Sequence, residues 1–489
     1  MFYVKNNFIK GKDFNKLNKT DYLNNLVNNY DVIIVGGGAG GLFAAYEFTK
    51  KYKNLKVAIL EKGKRLEQRK CPIDGDKIKN CINCKICSIT AGIGGAGAFS
   101  DGKYNITNDF GGNFYEYVGR EKAIELMEYV DAINMKFGGE GARIFPSADS
   151  DLKREALKHD LHIMNANVRH LGTEKNYLIL QHLVKYLEDN GIDIFYETEV
   201  EDVQRCRIGW YLFAKNKKEF TSKSLIIATG RSGSKWTSGL CEKFGISNSN
   251  NRVDIGIRFE CPAEIWKPIT EKVYEGKIIY RSPTTGCSCR TFCMNPNGEV
   301  VAENTNGIIT VNGHSYEDPK LHTNNTNFAL LVTHKFTEPF KDSNAYGEYV
   351  AGLVNMLAGG VMVQRFGDLL KNKRTNEERL EKSFTRPTLK ATPGNLALCM
   401  PKQTLDTIID TIFALDKLVP GTANYDNLLY GAEVKFYNSV VNVDKNLESS
   451  EKGLFFIGDC SGTSHSLSVA SSEGVYVARV IGDRYSVVK

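Results

Sequence analysis

No apolar run in the 489 residues approaches the ~20 needed to cross a bilayer as a helix. The opening stretch MFYVKNNFIKGKDFNK also lacks the apolar core of a secretory signal. A membrane span and a secreted precursor are therefore not expected, and the expected address is cytoplasmic. No period of about 20–50 residues recurs, which sets aside repeat architectures. Excess charge of one sign is scarce as well: 63 Lys and Arg against 57 Asp and Glu leave +6, dispersed along the chain, so nucleic acid is not an expected partner. The densest basic stretch, Lys371-Asn372-Lys373-Arg374, sits among acids and reads as solvated surface.

What is present is ordinary globular composition, 42% apolar and 25% charged, in a chain long enough for two or three domains. The 12 cysteines are clustered rather than spread as in an extracellular framework: four lie between Cys71 and Cys87 and three between Cys287 and Cys293. In a reducing compartment such clustering points to metal or redox chemistry.

The β-branched run Asp31–Val35 is followed by Gly36-Gly37-Gly38-Ala39-Gly40-Gly41 and then by apolar residues at helical spacing. Strand, tight turn and helix are predicted, with Gly36, Gly38 and Gly41 in the G-x-G-x-x-G pattern. These glycines serve the turn, the approach of backbone to a pyrophosphate and the packing of helix on strand. Ala39 and Gly40 open the helix, whose N-terminal N–H groups face the phosphates. A second strand, Lys56–Leu60, ends in Glu61-Lys62, where a carboxylate is expected at the adenosine ribose hydroxyls.

Further along, a strand ends in Ala228-Thr229-Gly230, and Gly453–Ile457 ends in Gly458-Asp459 before a helix opened by Ser468-Val469-Ala470. With the N-terminal fingerprint, these features resemble the FAD flavoproteins related to glutathione reductase and p-hydroxybenzoate hydroxylase. The resemblance implies that Asp459 holds the ribityl chain and that the strand opening at Val200 walls the adenine. Asp459 should then weigh more on flavin retention than Glu61, because water can partly serve ribose hydroxyls. No second glycine fingerprint follows a strand in the middle of the chain, so a dedicated NAD(P)H domain is not expected; NAD(P)H as reductant would bind otherwise.

The implied fold is α/β: a doubly wound, parallel-sheet FAD-binding domain with an inserted β-rich α+β substrate domain. Its expected divisions are an N-terminal extension (1–29), the first part of the FAD domain (30–252, with a cysteine-rich loop at 71–103), the inserted domain (253–435) and the C-terminal part of the FAD domain (436–489). Helices are predicted at Arg120–Phe137, Tyr177–Asn190, Ala345–Leu357 and Leu405–Leu415. Strands are read at Ile192–Tyr196 and Glu197–Val200, and Asn297-Gly298, Asn306-Gly307 and Asn312-Gly313 are hairpin signals.

Cys71, Cys81, Cys84 and Cys87 then lead into Gly92-Ile93-Gly94-Gly95-Ala96-Gly97-Ala98-Phe99-Ser100-Asp101-Gly102-Lys103. This combination resembles the FAD-dependent dehydrogenases also labelled NAD(FAD)-utilising dehydrogenases. Val168–Thr173, Val253–Arg258, Val311–Tyr316 and Gln364–Asp368 add to the likeness, whose label describes a class rather than one reaction. Cys460 and His465 depart from the glycine- or alanine-rich segment expected after Gly-Asp. The four cysteines are candidate ligands for an iron–sulfur cluster or zinc; a disulfide relay to the flavin and unligated packing thiols stay open. The glycine loop that follows, through Gly95, Ala96, Ser100 and Asp101, is expected against the isoalloxazine.

His170, Lys103 and Arg258 are the candidate catalytic side chains, the first two as proton donors and Arg258, with Arg290, as an anchor for an acidic group. Salt bridging inside the protein is the competing role for the arginines. His314 and Tyr316 are placed after a turn, at the pocket of the inserted domain. The function expected is an FAD-dependent oxidoreductase acting on a small organic substrate or redox partner. An RNA- or protein-modifying flavoenzyme and an FAD/iron–sulfur electron carrier are the alternatives.

Overall fold

Alternation decides the first sheet. In β1 (Asn29–Val35), Val32 and Ile34 enter one apolar cluster while Ile33 and Val35 enter another on the opposite face, none more than 6% exposed. A strand covered on both sides carries no polar face, as parallel sheets require. The computed structural model describes residues 28–73, 82, 84–273, 276–305, 307–316, 319–336 and 342–487.

After β1 the chain forms α1 (Ala39–Lys51) and returns as β2 (Val57–Leu60). It then builds a small ribbon, β3 (Lys103–Ile106) on β4 (Asn167–His170), with α2 (Arg120–Asn134) between them in sequence and α3 (Thr173–Asp189) after. Next come β5 (Asp193–Phe195), β6 (Val200–Cys206), β7 (Gly209–Ala214) and β8 (Glu219–Ile227). The parallel strands lie in the order β5, β2, β1, β8 and, from the end of the chain, Leu454–Phe456, while β7 and β6 continue from β8 as an antiparallel meander. The order in which the chain adds strands reverses between β1 and β8, a switch point that opens a ligand crevice at the carboxyl ends of those parallel strands. The stretch read as a strand from Glu197 instead turns: Glu197 has φ +48°, and pairing begins at Val200.

The second sheet carries β9 (Val253–Pro262), β10 (Ser288–Asn295), β13 (Asn325–His334), β14 (Met362–Arg365) and β15 (Leu428–Lys435). Beside it stands the hairpin of β11 (Glu299–Thr305) and β12 (Ile308–His314). Helices α4 (Ser343–Ala358) and α5 (Lys402–Leu418) cover one face, where Ile255, Ile257 and Phe259 are fully buried. The alternate residues of β9 put Asp254, Arg258 and Glu260, also fully buried, on the other face. The edge strand Leu161–Ile163 and the helix Ser150–Leu157 before it also join this core, so the second sheet draws on chain from before residue 253.

Asn312-Gly313 is not a turn. Both residues lie within β12, where Asn312 accepts from Arg258 and a Cβ on Gly313 would fall 2.1 Å from Asn327 Oδ1 and 2.9 Å from Arg258 Nη1. Glycine stands there because a buried polar network crosses the strand. Asn297 does turn, at φ +51°, but it joins β10 to β11, which do not pair with each other; Asn306 lies outside the described residues.

The chain closes with β16 (Leu454–Phe456) and α6 (Leu467–Val487), which packs on α1. A Cβ on Gly474 would lie 2.1 Å from Gly40 O, so the two helices touch backbone to backbone. Gly474→Ala is expected to lower stability by about 1–3 kcal/mol or more through overpacking. Gly239→Ala, on a helix where a Cβ meets nothing within 4 Å, is expected to gain about 1 kcal/mol from helix propensity. Urea unfolding of the two variants checks this, and equal midpoints would show that α1 and α6 are not in backbone contact.

Candidate functional site

The crevice is floored by glycine. Gly36 has φ +109°, and a Cβ there would fall 2.3 Å from Ala228 O; one on Gly41 would fall 2.1 Å from Gly36 O. Turn and helix packing are thus both closed to side chains. Gly38 caps α1 without a side-chain hydrogen bond, and its Cβ position meets only Gly95 Cα, at 3.8 Å. Ala39 and Gly40 form the first turn, with its N–H groups directed into the crevice.

The glycine loop lies over this floor. Gly94 N donates to Gly37 O at 2.7 Å, and a Cβ on Gly97 would strike Leu467 at the start of α6. Ser100 Oγ donates to Gly97 O, and Ala96 is exposed. The side chain that holds the loop is one the sequence reading missed: Arg69, 4% exposed, donates to the carbonyls of Ser88, Ile89, Gly92, Ile93 and Gly95. Burial draws its pKa down to about 10, against the pull of Glu61. A loop of glycines has no side chains with which to satisfy its own carbonyls, and that need was the available signal.

Glu61 serves the same loop. Its Oε2 accepts from Gly37 N at 2.8 Å, and its Oε1 accepts from Gly63 N at 2.8 Å and Gly92 N at 2.9 Å. The carboxylate is 5% exposed and ties three segments together. Lys62 Nζ donates to Ser232 Oγ, and Val200 is buried at the head of β6.

Opposite the cradle, Thr229 and Gly230 follow β8, and Thr229 Oγ1 pairs with Thr237 Oγ1. Asp459 Oδ2 accepts from Arg231 Nη2 at 3.2 Å, and Asp459 O accepts from Asn438. Gly458 N donates to Glu473 Oε2 at 2.6 Å, and Thr463 Oγ1 donates to Oε1. Burial pushes the Glu473 carboxyl up to about 8, with Asp459 adding to the rise. The departing residues are accommodated on different sides. Cys460 packs into the core, its thiol raised to about 11 by burial, while His465 lies against the Tyr437 ring, 4.5 Å between centroids. At the head of α6 the buried hydroxyls of Ser464, Ser468 and Ser472 have no hydrogen-bond partner among the described residues, and a Cβ on Gly40 would meet Ala470 O at 3.1 Å.

The catalytic candidates divide. Lys103 Nζ lies 2.9 Å from Asp101 Oδ2, and Lys103 faces His170 across β3 and β4. Burial pushes the Asp101 carboxyl up, but Lys103, His170 and His314 outweigh it and the net shift is downward. His314 comes from the end of β12, with its ring on Tyr316, so the β3–β4 ribbon and the β11–β12 hairpin both supply this cluster. Arg258 is elsewhere and is consumed: it spans both carboxylate oxygens of Glu433, at 2.8 and 2.9 Å, and donates to Asn312 and Cys293 O. Arg290 pairs with Asp254 at 3.0 Å. Both arginines thus have internal partners.

Of the cysteine candidates, Cys81 lies outside the described residues. Cys71 and Cys84 are exposed and Cys87 is half-buried; no three His, Cys, Asp or Glu converge as for a metal ion among the described residues. Burial raises the Cys87 thiol, yet the Thr90 and Ile89 amides and Arg69 bring it below its ordinary value. No helix among the described residues is long and apolar enough to cross a membrane.

A glycine-floored crevice at the carboxyl ends of a doubly wound sheet, closed by a Gly-Asp turn, defines a dinucleotide-binding α/β protein of the flavoprotein kind. Residues 272–436, most of the second sheet, match the family model described as FAD-dependent protein, C-terminal domain-like, and residues 16–66 match that of the Thi4 family. Each match covers less than half of the chain. No curated protein matches it. Among solved structures it is similar to glycine oxidase from Geobacillus kaustophilus, with TM-score 0.39, 13% identity and 94% of each chain covered. It is also similar to a mutant of P. aeruginosa PqsL, with TM-score 0.41, 11% identity and 94% and 88% of the two chains covered. A third is a geranylgeranyl bacteriochlorophyll reductase-like protein from Thermoplasma acidophilum, with TM-score 0.40, 13% identity and 94% and 80% covered.

Proposed function

We propose that the protein holds one FAD in this crevice and is an oxidoreductase, passing hydride or electrons between the flavin and a small organic substrate, with NAD(P)H or a protein partner as reductant. The observation that carries the reading is the convergence of the glycine floor with Asp459 and the unpartnered Ser464 and Ser468 at the head of α6. Buried hydroxyls without partners are costly, and a polar ligand satisfies them.

The first-turn N–H groups of α1 would take the pyrophosphate, Asp459 the ribityl hydroxyls, and the Gly94–Gly97 backbone the face of the ring. FAD, when bound, supplies hydride or single-electron transfer. The residues of this chain do the rest. The N-terminal end of α6 favours negative charge beside it. His465 is kept neutral, chiefly by burial and then by Lys435, Arg252 and Arg231. Lys103 and His170 stand around Asp101 at the end of the glycine loop, as the candidate proton donors.

Purified protein is expected to be yellow with about one FAD per chain. Asp459→Ala is expected to lower flavin affinity about tenfold or more, the loss of one hydrogen bond to a charged group, while the fold is kept. Absorbance of the isolated protein and its retention of FAD on gel filtration decide both points. A colourless protein that gains no flavin on reconstitution would sink the reading, and undiminished occupancy in the variant would remove Asp459 from the site.

A further inference from the structure

Away from the crevice, at the other end of the first sheet, lies a cavity of about 370 Å³. Four segments enclose it: the β6–β7 turn at Cys206–Gly209, Lys223-Ser224 of β8, Lys452-Gly453 just before β16, and the last turns of α6. The strands β8 and β16 run from here toward the crevice, which they reach at Ala228 and Gly458. Arg205, Arg207, Lys223, Lys452 and Arg484 line the cavity, and among the described residues no acid does.

Three of these cations have carboxylates set back from the lining. Lys223 pairs with Asp31 at 2.7 Å, Arg484 with Glu448 at 2.6 Å and Arg205 with Glu451 at 3.8 Å. Two cations are not matched. Lys452 is within electrostatic reach of Glu448, but both oxygens of that carboxylate already accept from Arg484, and Oε1 accepts from Gly453 N as well. Arg207, exposed at the turn, makes no ion pair or side-chain hydrogen bond with any described residue. The walls are fixed. Arg205 donates to Lys452 O at 2.8 Å and lies 4.5 Å from the centre of the Trp210 ring, tying the turn to the segment before β16, and Ser224 Oγ and Tyr485 Oη share a hydrogen bond of 2.8 Å.

We propose that this cavity binds the phosphoryl group of a small phosphorylated molecule, with Arg207 and Lys452 as its direct partners. Its size falls within the roughly 300–1,000 Å³ of small-molecule sites. A cleft lined by one sign of charge focuses its field on whatever enters. A phosphoryl group carries about two negative charges at neutral pH and so balances both unmatched cations, where a carboxylate balances one. The arginine fork and the lysine point charge can meet such oxygens from two sides. The inference stands whether or not the crevice holds FAD.

The test is calorimetric titration of the protein, before and after FAD loading, with inorganic phosphate, phenyl phosphate and benzoate. A single saturable phosphate site is expected, weakened by salt, unmoved by FAD loading and filled less well by benzoate. Arg207→Ala and Lys452→Ala should each weaken it about fivefold and together about twentyfold. Their urea midpoints should not move, because neither side chain holds another element in place, and Lys452→Arg should keep most of the affinity. Cys206 lines the cavity, so bound phosphate should also slow its alkylation, read by peptide mass. Tighter binding of phenyl phosphate identifies a phosphate ester as the occupant, and tighter binding of inorganic phosphate the free ion. Absence of binding, equal binding of benzoate, or affinity left intact in the double variant overturns the proposal. So does phosphate binding lost on FAD loading, which would belong to the crevice. Displacement of phosphate by a single-stranded oligonucleotide at lower concentration overturns it too, by making this face a nucleic-acid surface.

Discussion

Glu61→Ala is expected to cost the fold about 3 kcal/mol or more, because three buried N–H groups lose their acceptor at roughly 1–3 kcal/mol each. The donors are Gly37 at the cradle, Gly63 after β2 and Gly92 at the glycine loop, so one carboxylate fastens three segments that are otherwise joined by glycine. Glu61→Gln should be milder, since the amide keeps one carbonyl oxygen but turns an NH2 toward at least one donor. Urea unfolding of flavin-free protein is the measurement, because bound FAD would add its own stabilisation to wild type and variant unequally. Glu61→Ala and Asp459→Ala should then separate: the first loses stability even without flavin, the second loses flavin from a protein that still folds. An unchanged urea midpoint in Glu61→Ala would mean that water replaces the carboxylate at all three amides.

The position of Glu61 shows where the sequence was legible and where it was not. A strand with a β-branched run, a glycine turn and a helix are local events, and their spacing announced β1, α1, the turn at Gly36 and the helix packing at Gly41 that the sterics display. The Gly-Asp turn before α6 was equally local. Glu61 was placed correctly at the end of β2, but its acceptor bonds to Gly63 and Gly92 depend on where a loop returns, which spacing does not encode. The same limit hid Arg69, whose five carbonyl partners lie 19 to 26 residues downstream. It also let Arg258 read as a substrate anchor, since Glu433 stands 175 residues away and is brought opposite only by the pairing of β9 with β15.

The second sheet illustrates a different limit. Its polar face is buried, an exception to the rule that strands alternate apolar and solvated residues. Asp254, Arg258 and Glu260 alternate as a half-exposed strand would, yet all are fully buried. Such a face is stable only when each charge is matched or neutral. Arg258 with Glu433 and Arg290 with Asp254 are matched, while Glu260 accepts from Thr388, Tyr430 and Asn325 with its carboxyl pushed up by burial.

Glu473→Gln is expected to stabilise the protein at alkaline pH and to do little in acid. The folded-state pKa of Glu473 is pushed up to about 8 from an ordinary value of 4.5, first by burial, then by Asp459, against the lowering pull of Gly458 N and Thr463. The folded protein therefore holds this proton over a range in which the unfolded chain has released it. Its contribution is intact below the unfolded value and is lost as pH rises toward the folded one, at up to about 1.4 kcal/mol per pH unit. Glutamine cannot ionise, and its carbonyl can still accept from Gly458 while its NH2 faces Thr463, whose hydroxyl can turn to accept. The difference in unfolding free energy between Glu473→Gln and wild type should thus grow steadily between pH 5 and 8, through about 2 kcal/mol or more, while shifts from all other groups cancel in the subtraction. The measurement is denaturant unfolding at several pH values, with and without added FAD. A difference that stays flat with pH would mean that Glu473 is ionised in the folded protein, and that the Gly458 and Thr463 bonds hold a carboxylate beside Asp459 rather than a neutral acid.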